Sequence, residues 1–432
     1  MAFERLSQSV RSFLASRRNR ELLFYVVLFV VAVAMSARRL LSTGSDFLIL
    51  LKAARELHEP GVDLYRNQTE FGGPYPYPHF LLLPLRLLLQ LPEPAILFVW
   101  CLGLGAASVI LLRSLQWFIE LFRPVNWVPV VLFFVLFGRC LTHNYTKGQG
   151  SLWIAALVLY GLRAVLEDRP IKGGLALGLA TGWKLTPVAY LGLLFVWKKW
   201  KAGAVQIATV LVLVFALPLL AMTPGEHLRH LGNFHRAMIA PLFGGEAELA
   251  EVWRGISASV SGTFDFVLTT DTPMKLDVHP RIADLDRSTI RVLKLVWTAM
   301  LLGFGLWGFL RARALPAPRS HSVQAAIGML LLVLLQPLTR VYHLANVVLA
   351  SALFCFWAPV ARPAGRAVLW WTTLALFAFA FPLRIKKVIG MYCYLLFQTG
   401  LLHVALVALL VWTASGGIEE AKASSGEGAA DA

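Results

Sequence analysis

The stretch AILFVWCLGLGAASVILL, residues 95–112, holds eighteen residues with no charge and no proline. Wound as an α-helix it extends about 27 Å, close to the ~30 Å hydrocarbon core of a bilayer. Glu93 and Arg113 bracket it, so the charges sit where a span would meet water. Comparable apolar runs recur at about residues 21–41, 125–141, 151–166, 203–222, 289–310, 321–337, 344–360, 367–382 and 388–412. Over the 432 residues 58% are apolar and 15% charged, against about 45–50% and about 25% for soluble domains. The mean hydropathy is +0.66. A soluble core cannot hide that much apolar surface. A barrel is excluded too, because its signature is short strands of alternating polarity. The reading is an all-α, multi-pass integral membrane protein with about 10–12 membrane helices.

The formal charge of +16 would point to nucleic acid in a soluble chain. Here many Lys and Arg cap apolar runs, so no nucleic-acid partner is expected; membrane lipids are. Arg5, Arg11, Arg17, Arg18 and Arg20 precede the first run and place residues 1–20 in the cytoplasm. No small-residue cleavage site follows, so that run is read as a retained span. The expected organisation is a basic N-terminus, 1–20, and a membrane domain, 21–412. Within it, outer-face segments at about 42–94 and 223–288 carry interfacial helices. A Gly-, Ser- and Glu-rich cytoplasmic tail, 413–432, follows. Residues 173–197 break at Lys184-Leu185-Thr186-Pro187. Two half-helices entering and leaving on one face keep Lys198, Lys199 and Lys201 inside, as the charge rule prefers. The four cysteines all lie in or beside apolar runs, without metal spacing.

Long outer segments and short basic inner loops suit chemistry at the outer face of the plasma membrane. A helix starting near Asp46 would align Phe47, Leu50, Leu51, Ala54 and Leu57, and end before Pro60-Gly61. Asp46 is either a helix-start carboxylate favoured by the macrodipole or a general base at the water–lipid boundary. Tyr75-Pro76-Tyr77-Pro78-His79 is a stiff extended strip leading to an apolar segment, 80–91, too short to cross. Tyr65, Tyr75 and Tyr77 are interface aromatics or platforms for a sugar. Asp63 sits in a turn after Pro60-Gly61, and Glu56 and Glu59 share a helix with Lys52 and Arg55. Lys184 inside a membrane segment is costly; it pairs with a carboxylate, holds a lipid phosphate, or snorkels.

An Asp after the first span, Leu64-Tyr65, Tyr77-Pro78 and Pro84-Leu85 together resemble glycosyltransferase family 87. So do Gly148-Gln149-Gly150-Ser151-Leu152, Gly178-Leu179-Ala180 and Lys184-Leu185-Thr186-Pro187, similar to the family's GQ-N-L, G-L-A and K-x-x-P elements. Gln336-Pro337-Leu338-Thr339-Arg340-Val341-Tyr342-His343 resembles its S-P-I-S-x-x-H-H segment. Departures are Gly150 for the family's Asn, Tyr342 for one of its paired histidines, and only Gly255-Ile256-Ser257 for an outer N-Q-S-L element. The resemblance implies a GT-C fold and a polyprenyl-phosphate sugar donor, notably mannose. It also implies a lipid-linked or glycan acceptor, and inverting displacement with Asp46 as base. Arg340 and His343, three apart and on one face if helical, would hold the donor phosphate, with Lys147 and Lys184 as further candidates. Gln149, Tyr65, Tyr75, Tyr77 and His79 would meet sugar or acceptor. No Gly-rich phosphate loop follows a strand, which argues against a nucleotide sugar. Asp265 and Asp271 lack His or Glu partners at ligand spacing, so no cofactor and no metal is expected. Competing readings are a transporter or flippase with Lys184 in a coupling site, and an outer-face polymerase moving whole glycans.

Overall fold

The computed structural model describes residues 16–40, 46–65, 75–122, 124–125, 127–240, 257–268, 283–336, 341–357, 364–380, 401–415 and 418. These residues are mostly helical, with no strand among them. The first helices are α1 (Arg17–Leu40), α2 (Asp46–Glu56), α3 (Leu82–Leu88), α4 (Glu93–Glu120), α5 (Trp127–Lys147) and α6 (Ser151–Leu166). A 3₁₀ turn, His79–Leu81, leads into α3. Next come α7 (Pro170–Trp183), α8 (Tyr190–Val196), α9 (Trp200–Leu211), α10 (Pro224–Phe234), α11 (Val260–Leu268) and α12 (Arg287–Ala312). The chain continues through α13 (Arg319–Leu335), α14 (Val348–Phe356), α15 (Ala364–Ala380) and α16 (Leu402–Ala414).

Five described segments are long and apolar enough to cross a membrane: Arg18–Arg38, Glu93–Glu120, Val128–Lys147, Trp200–Leu220 and Arg287–Ala312. The expected spans 151–166 and 321–337 appear as apolar helices of 16 and 17 residues, Ser151–Leu166 and Arg319–Leu335, and the described part of 388–412 is helical from Leu402. The expected span 203–222 is present as Trp200–Leu220, although the helix ending at Leu211 passes through a π turn and a 3₁₀ turn before Leu220, where Pro218 removes a backbone donor. Elsewhere helices are enclosed by neighbours: every residue of α14 is buried, the mark of a helix apolar all round. By contrast Leu22, Val26 and Val30 of α1 and Leu295 and Met300 of α12 point outward, half or more exposed. Apolar rows of that extent need lipid around them. This is a multi-pass membrane protein.

The helix α7 is sandwiched at close range between α6 and α9. A Cβ on Gly173 would lie 2.5 Å from Val165 Cγ2, and one on Gly178 would lie 2.4 Å from Thr209 Cβ. Small residues let such backbones approach. At 14 residues, α7 extends about 21 Å, less than a bilayer core. The chain then breaks at Lys184, turns through Thr186–Ala189, and returns along α8. Lys199 Nζ, past the end of α8, meets Asp168 Oδ1, before the start of α7, at 2.6 Å. The segment therefore comes back to the end it left, with Lys184 at its far turn.

Two cores result. The large one fills the helix bundle. The smaller is built from α2, Leu64, Tyr65, Tyr75, α3 and the first turns of α4, closed by Met222 and Phe234. The sequence reading laid α2 on the membrane surface; in the structure Phe47, Leu50, Leu51, Ala54 and Leu57 are sealed inside this second core.

Candidate active site

Asp46 opens α2 and is half-buried. A carboxylate there faces the unpaired amides of the first helical turn and the positive end of the dipole. Its partner comes from 103 residues away: the Gln149 side-chain amide donates to Asp46 Oδ2. The end of α5 aims that amide. Gly148 takes φ +64, and the Gln149 amide N–H reaches back to the Asn144 carbonyl at 3.0 Å. This is the left-handed helix end that favours glycine. Gln149 itself is buried.

Tryptophans brace both sides of the pair. Trp100 donates its indole N–H to the Gly148 carbonyl at 3.1 Å and stacks on Phe47 at 4.6 Å. One ring thus ties Asp46's neighbour to Gln149's neighbour. Trp183 packs against Gly150 so closely that a Cβ there would lie 2.8 Å from its Nε1. Trp183 also neighbours Trp100 at 6.2 Å and Trp153 at 6.4 Å. Phe47, Trp100, Trp153 and Trp183 line a cavity of about 490 Å³, completed by Phe80, Pro84, Leu85, Leu88, Leu179 and Leu213 among others. Among the described residues its lining is aliphatic and aromatic, with three indoles contributing the side-chain N–H groups.

Immediately after Trp183, Lys184 leaves the helix and brings its Nζ to 3.1 Å from His343 Nε2. Where Lys184 carries an ammonium, it donates and Nε2 of His343 accepts. His343 is buried in a 3₁₀ turn, Val341–Val347. Asp46, Gln149, the Gly150–Trp183 contact, Lys184 and His343 form one contiguous string. Lys147 is exposed two residues before Gln149. Arg340 lies outside the described residues.

The remaining expected contacts fall elsewhere. Tyr65 and Tyr75 are fully buried, their rings 5.9 Å apart, and Tyr65 also meets Phe234 at 5.5 Å. Tyr75 donates to the Pro78 carbonyl at 3.0 Å. A sugar meets these two rings only if the small core opens. Tyr77 is half-buried and edge-on to Tyr75 at 5.9 Å. His79 is buried against two histidines of α10: its Nε2 is 2.8 Å from His227 Nδ1, and its ring is 5.2 Å from that of His230. Burial first, then His230 and His227, push its pKa down to about 3. Burial also lowers His227 and His230. Asp63 accepts from the Tyr65 amide at 3.0 Å, a turn contact. Asp265 pairs with Lys294 at 2.6 Å. Among the described residues no group of three His, Cys, Asp or Glu is placed to hold a metal.

Sequence reasoning missed the tryptophan wall and the α10 histidines. The nearest signal for the wall was Trp183 beside Lys184; nothing local marked the histidines.

A protein of Mycolicibacterium smegmatis, the polyprenol-phosphate-mannose-dependent alpha-(1-2)-phosphatidylinositol pentamannoside mannosyltransferase, is similar to this chain, 29% identical over 202 residues. That alignment covers 45% of this chain and 48% of the relative, so the chain spans about half the length of the curated relative it matches. No solved structure matches. The sequence profile of glycosyltransferase family 87 matches residues 75–337, more than half of the chain. That match takes in Gln149, the tryptophan wall and Lys184, and the chain belongs to glycosyltransferase family 87.

Proposed function

We propose that this protein transfers a sugar, mannose by analogy with its relative, from a polyprenyl-phosphate donor to a hydroxyl of a lipid- or glycan-linked acceptor. The reaction takes place at the extracytoplasmic face of the plasma membrane. The basic residues before α1 favour a cytoplasmic N-terminus, and one crossing by α1 then puts Asp46 outside. The C-terminus is cytoplasmic in the same topology. The observation that carries the reading is Asp46, fixed by the Gln149 amide beside a cavity lined by aliphatic and aromatic side chains. The cavity suits an isoprenoid chain, and the carboxylate suits a reacting hydroxyl.

In the proposed reaction the acceptor oxygen attacks the anomeric carbon from the face opposite the phosphate. Its proton passes to the Asp46 carboxylate, the C–O bond to phosphate breaks, and polyprenyl phosphate leaves with the negative charge. Displacement in one step inverts the anomeric centre. The Gln149 amide orients the carboxylate for that proton. Lys184 and His343, on the other side of Trp183, supply donors for the leaving phosphate, and Arg340 joins them by family resemblance. The test is to incubate purified protein with short-chain polyprenyl-phosphate mannose and candidate acceptors, following product by mass and anomeric configuration. One added hexose with inverted linkage is expected. Transfer of a whole oligosaccharide, or of nothing across a full acceptor set, would overturn the proposal.

A further inference from the structure

The interfacial helix α3 has two unlike faces, and each borders its own cavity. Phe80, Leu81, Pro84, Leu85 and Leu88 face the apolar cavity beside Asp46. On the other side Leu83, Arg86, Leu87 and Gln90 border a second, open cavity of about 720 Å³. Its opposite wall is Arg55 and His58 at the end of α2, with Leu217, Leu220 and Ala221 beyond α9. Leu217 borders both cavities.

The second cavity mixes cations with lipid-facing leucines. Leu87 and Leu220 are 73% and 84% exposed, so they reach hydrocarbon. Arg86 is exposed among them; among the described residues its one hydrogen bond is a long one, Nη1 to the Ala54 carbonyl at 3.5 Å, and it meets no carboxylate. Arg55 pairs with Glu93 at 2.9 Å, both about half exposed, a weakly held arrangement that a phosphate can displace. His58 is engaged by Glu226 at 2.7 Å. Arg55 and Arg86 border the same cavity, and each guanidinium is a planar donor of the kind that pairs with phosphate oxygens. From Arg55 back to Asp46 is nine residues of α2, about 13 Å of helix.

We propose that this basic cavity binds the phosphate of an anionic, phosphate-linked lipid acceptor. The α3 helix then separates two lipids, with the donor chain on its apolar face and the acceptor headgroup on its Arg86 face. The separation along α2 leaves room for a glycan of more than one sugar between the acceptor's phosphate and the hydroxyl that reacts at Asp46. This rests on the transferase reading above.

The test compares one glycan on two carriers, a phosphodiester-linked lipid and a phosphate-free alkyl chain. With Arg86→Gln, KM for the phosphodiester acceptor should rise about tenfold, or ~1.4 kcal/mol. Neither kcat nor donor KM should move, and the alkyl acceptor should be unaffected. Arg86→Lys, which keeps charge and loses the planar guanidinium, should fall between, and Arg55→Gln should add to the defect. Equal effects on both acceptors, or none on either, would overturn the proposal. A second arm repeats the assay in nanodiscs of phosphatidylcholine alone or with phosphatidylglycerol. If bulk phospholipid fills the cavity, the Arg86→Gln defect appears only with phosphatidylglycerol and for both acceptors, which also overturns it. Binding of phosphatidylinositol to the Asp46→Asn protein in detergent, read by native mass spectrometry, needs no turnover. Its loss in the Arg86→Gln, Asp46→Asn double variant supports the site even if the donor proves to be something else, and its persistence refutes the site.

Discussion

Replacing Gly150 by alanine adds a single methyl at the contact that joins the carboxylate end of the site to its lysine end. That methyl would lie 2.8 Å from Trp183 Nε1, 3.0 Å from Cε2 and 3.1 Å from Cζ2. All three are atoms of one rigid ring, and the ring is itself hemmed in by Trp100 and Trp153. It cannot yield as a flexible side chain would, so the overpacking should cost about 1–3 kcal/mol. If Trp183 moves into the apolar cavity, the loss falls on donor binding, a rise in donor KM of about 5- to 150-fold at ~1.4 kcal/mol per decade. If the 148–150 turn moves instead, the Gln149–Asp46 bond opens and kcat falls. Donor titration at fixed acceptor separates the two, and thermal unfolding in detergent gives the stability loss. Gly150→Asn, which restores the residue type typical of the family, should be worse. Trp183→Phe should partly rescue either variant, with a coupling of about 0.5–3 kcal/mol in a double-mutant cycle. A Gly150→Ala protein with wild-type donor KM, kcat and unfolding midpoint would refute the close contact and the string of residues built on it.

Three further outcomes follow from the geometry. Gln149→Leu removes the amide from Asp46 and should lower kcat about 10- to 150-fold, the ~1.5–3 kcal/mol of a hydrogen bond to a charged group; a kcat within twofold of wild type would contradict an orienting role. Gly178→Ala, at 2.4 Å from Thr209 Cβ, should separate α7 from α9 and lower the unfolding midpoint, whereas Gly192→Ala, with nothing within 4 Å, should not. Acidification should loosen the small core. His79, with a folded pKa of about 3 against about 6.5 unfolded, binds fewer protons when folded. Its contribution is therefore complete above pH ~6.5 and declines as pH falls toward 3. His79→Gln should flatten the dependence of unfolding temperature on pH over that window, and an unchanged slope would contradict the assignment.

The membrane class was legible because apolar runs such as 95–112 are a property of composition and length alone. The start of α2 at Asp46 was legible from its i, i+3, i+4 apolar positions, and the break at Lys184 from Pro187. Asp63 behaved as local turn chemistry dictates. What the chain did not announce was long-range. The Asp46–Gln149 bond joins residues 103 apart, and Lys184–His343 joins residues 159 apart; no spacing encodes such meetings. Tyr65 and Tyr75 carry hydroxyls suited to a sugar, yet Phe234, far along the chain, helps close them into a core. His79 likewise reads as a site residue until α10 supplies its partners.

The central claim is that Asp46 takes the acceptor proton. The direct measurement is single-turnover sugar transfer by Asp46→Asn beside wild type, with donor binding measured on the same preparations. The asparagine keeps the shape and a hydrogen-bonding contact with Gln149 but cannot accept the proton. Transfer should fall by at least the ~10²–10⁴-fold that a general base supplies, with donor affinity and unfolding temperature unchanged. Transfer by Asp46→Asn at the wild-type rate would contradict the account.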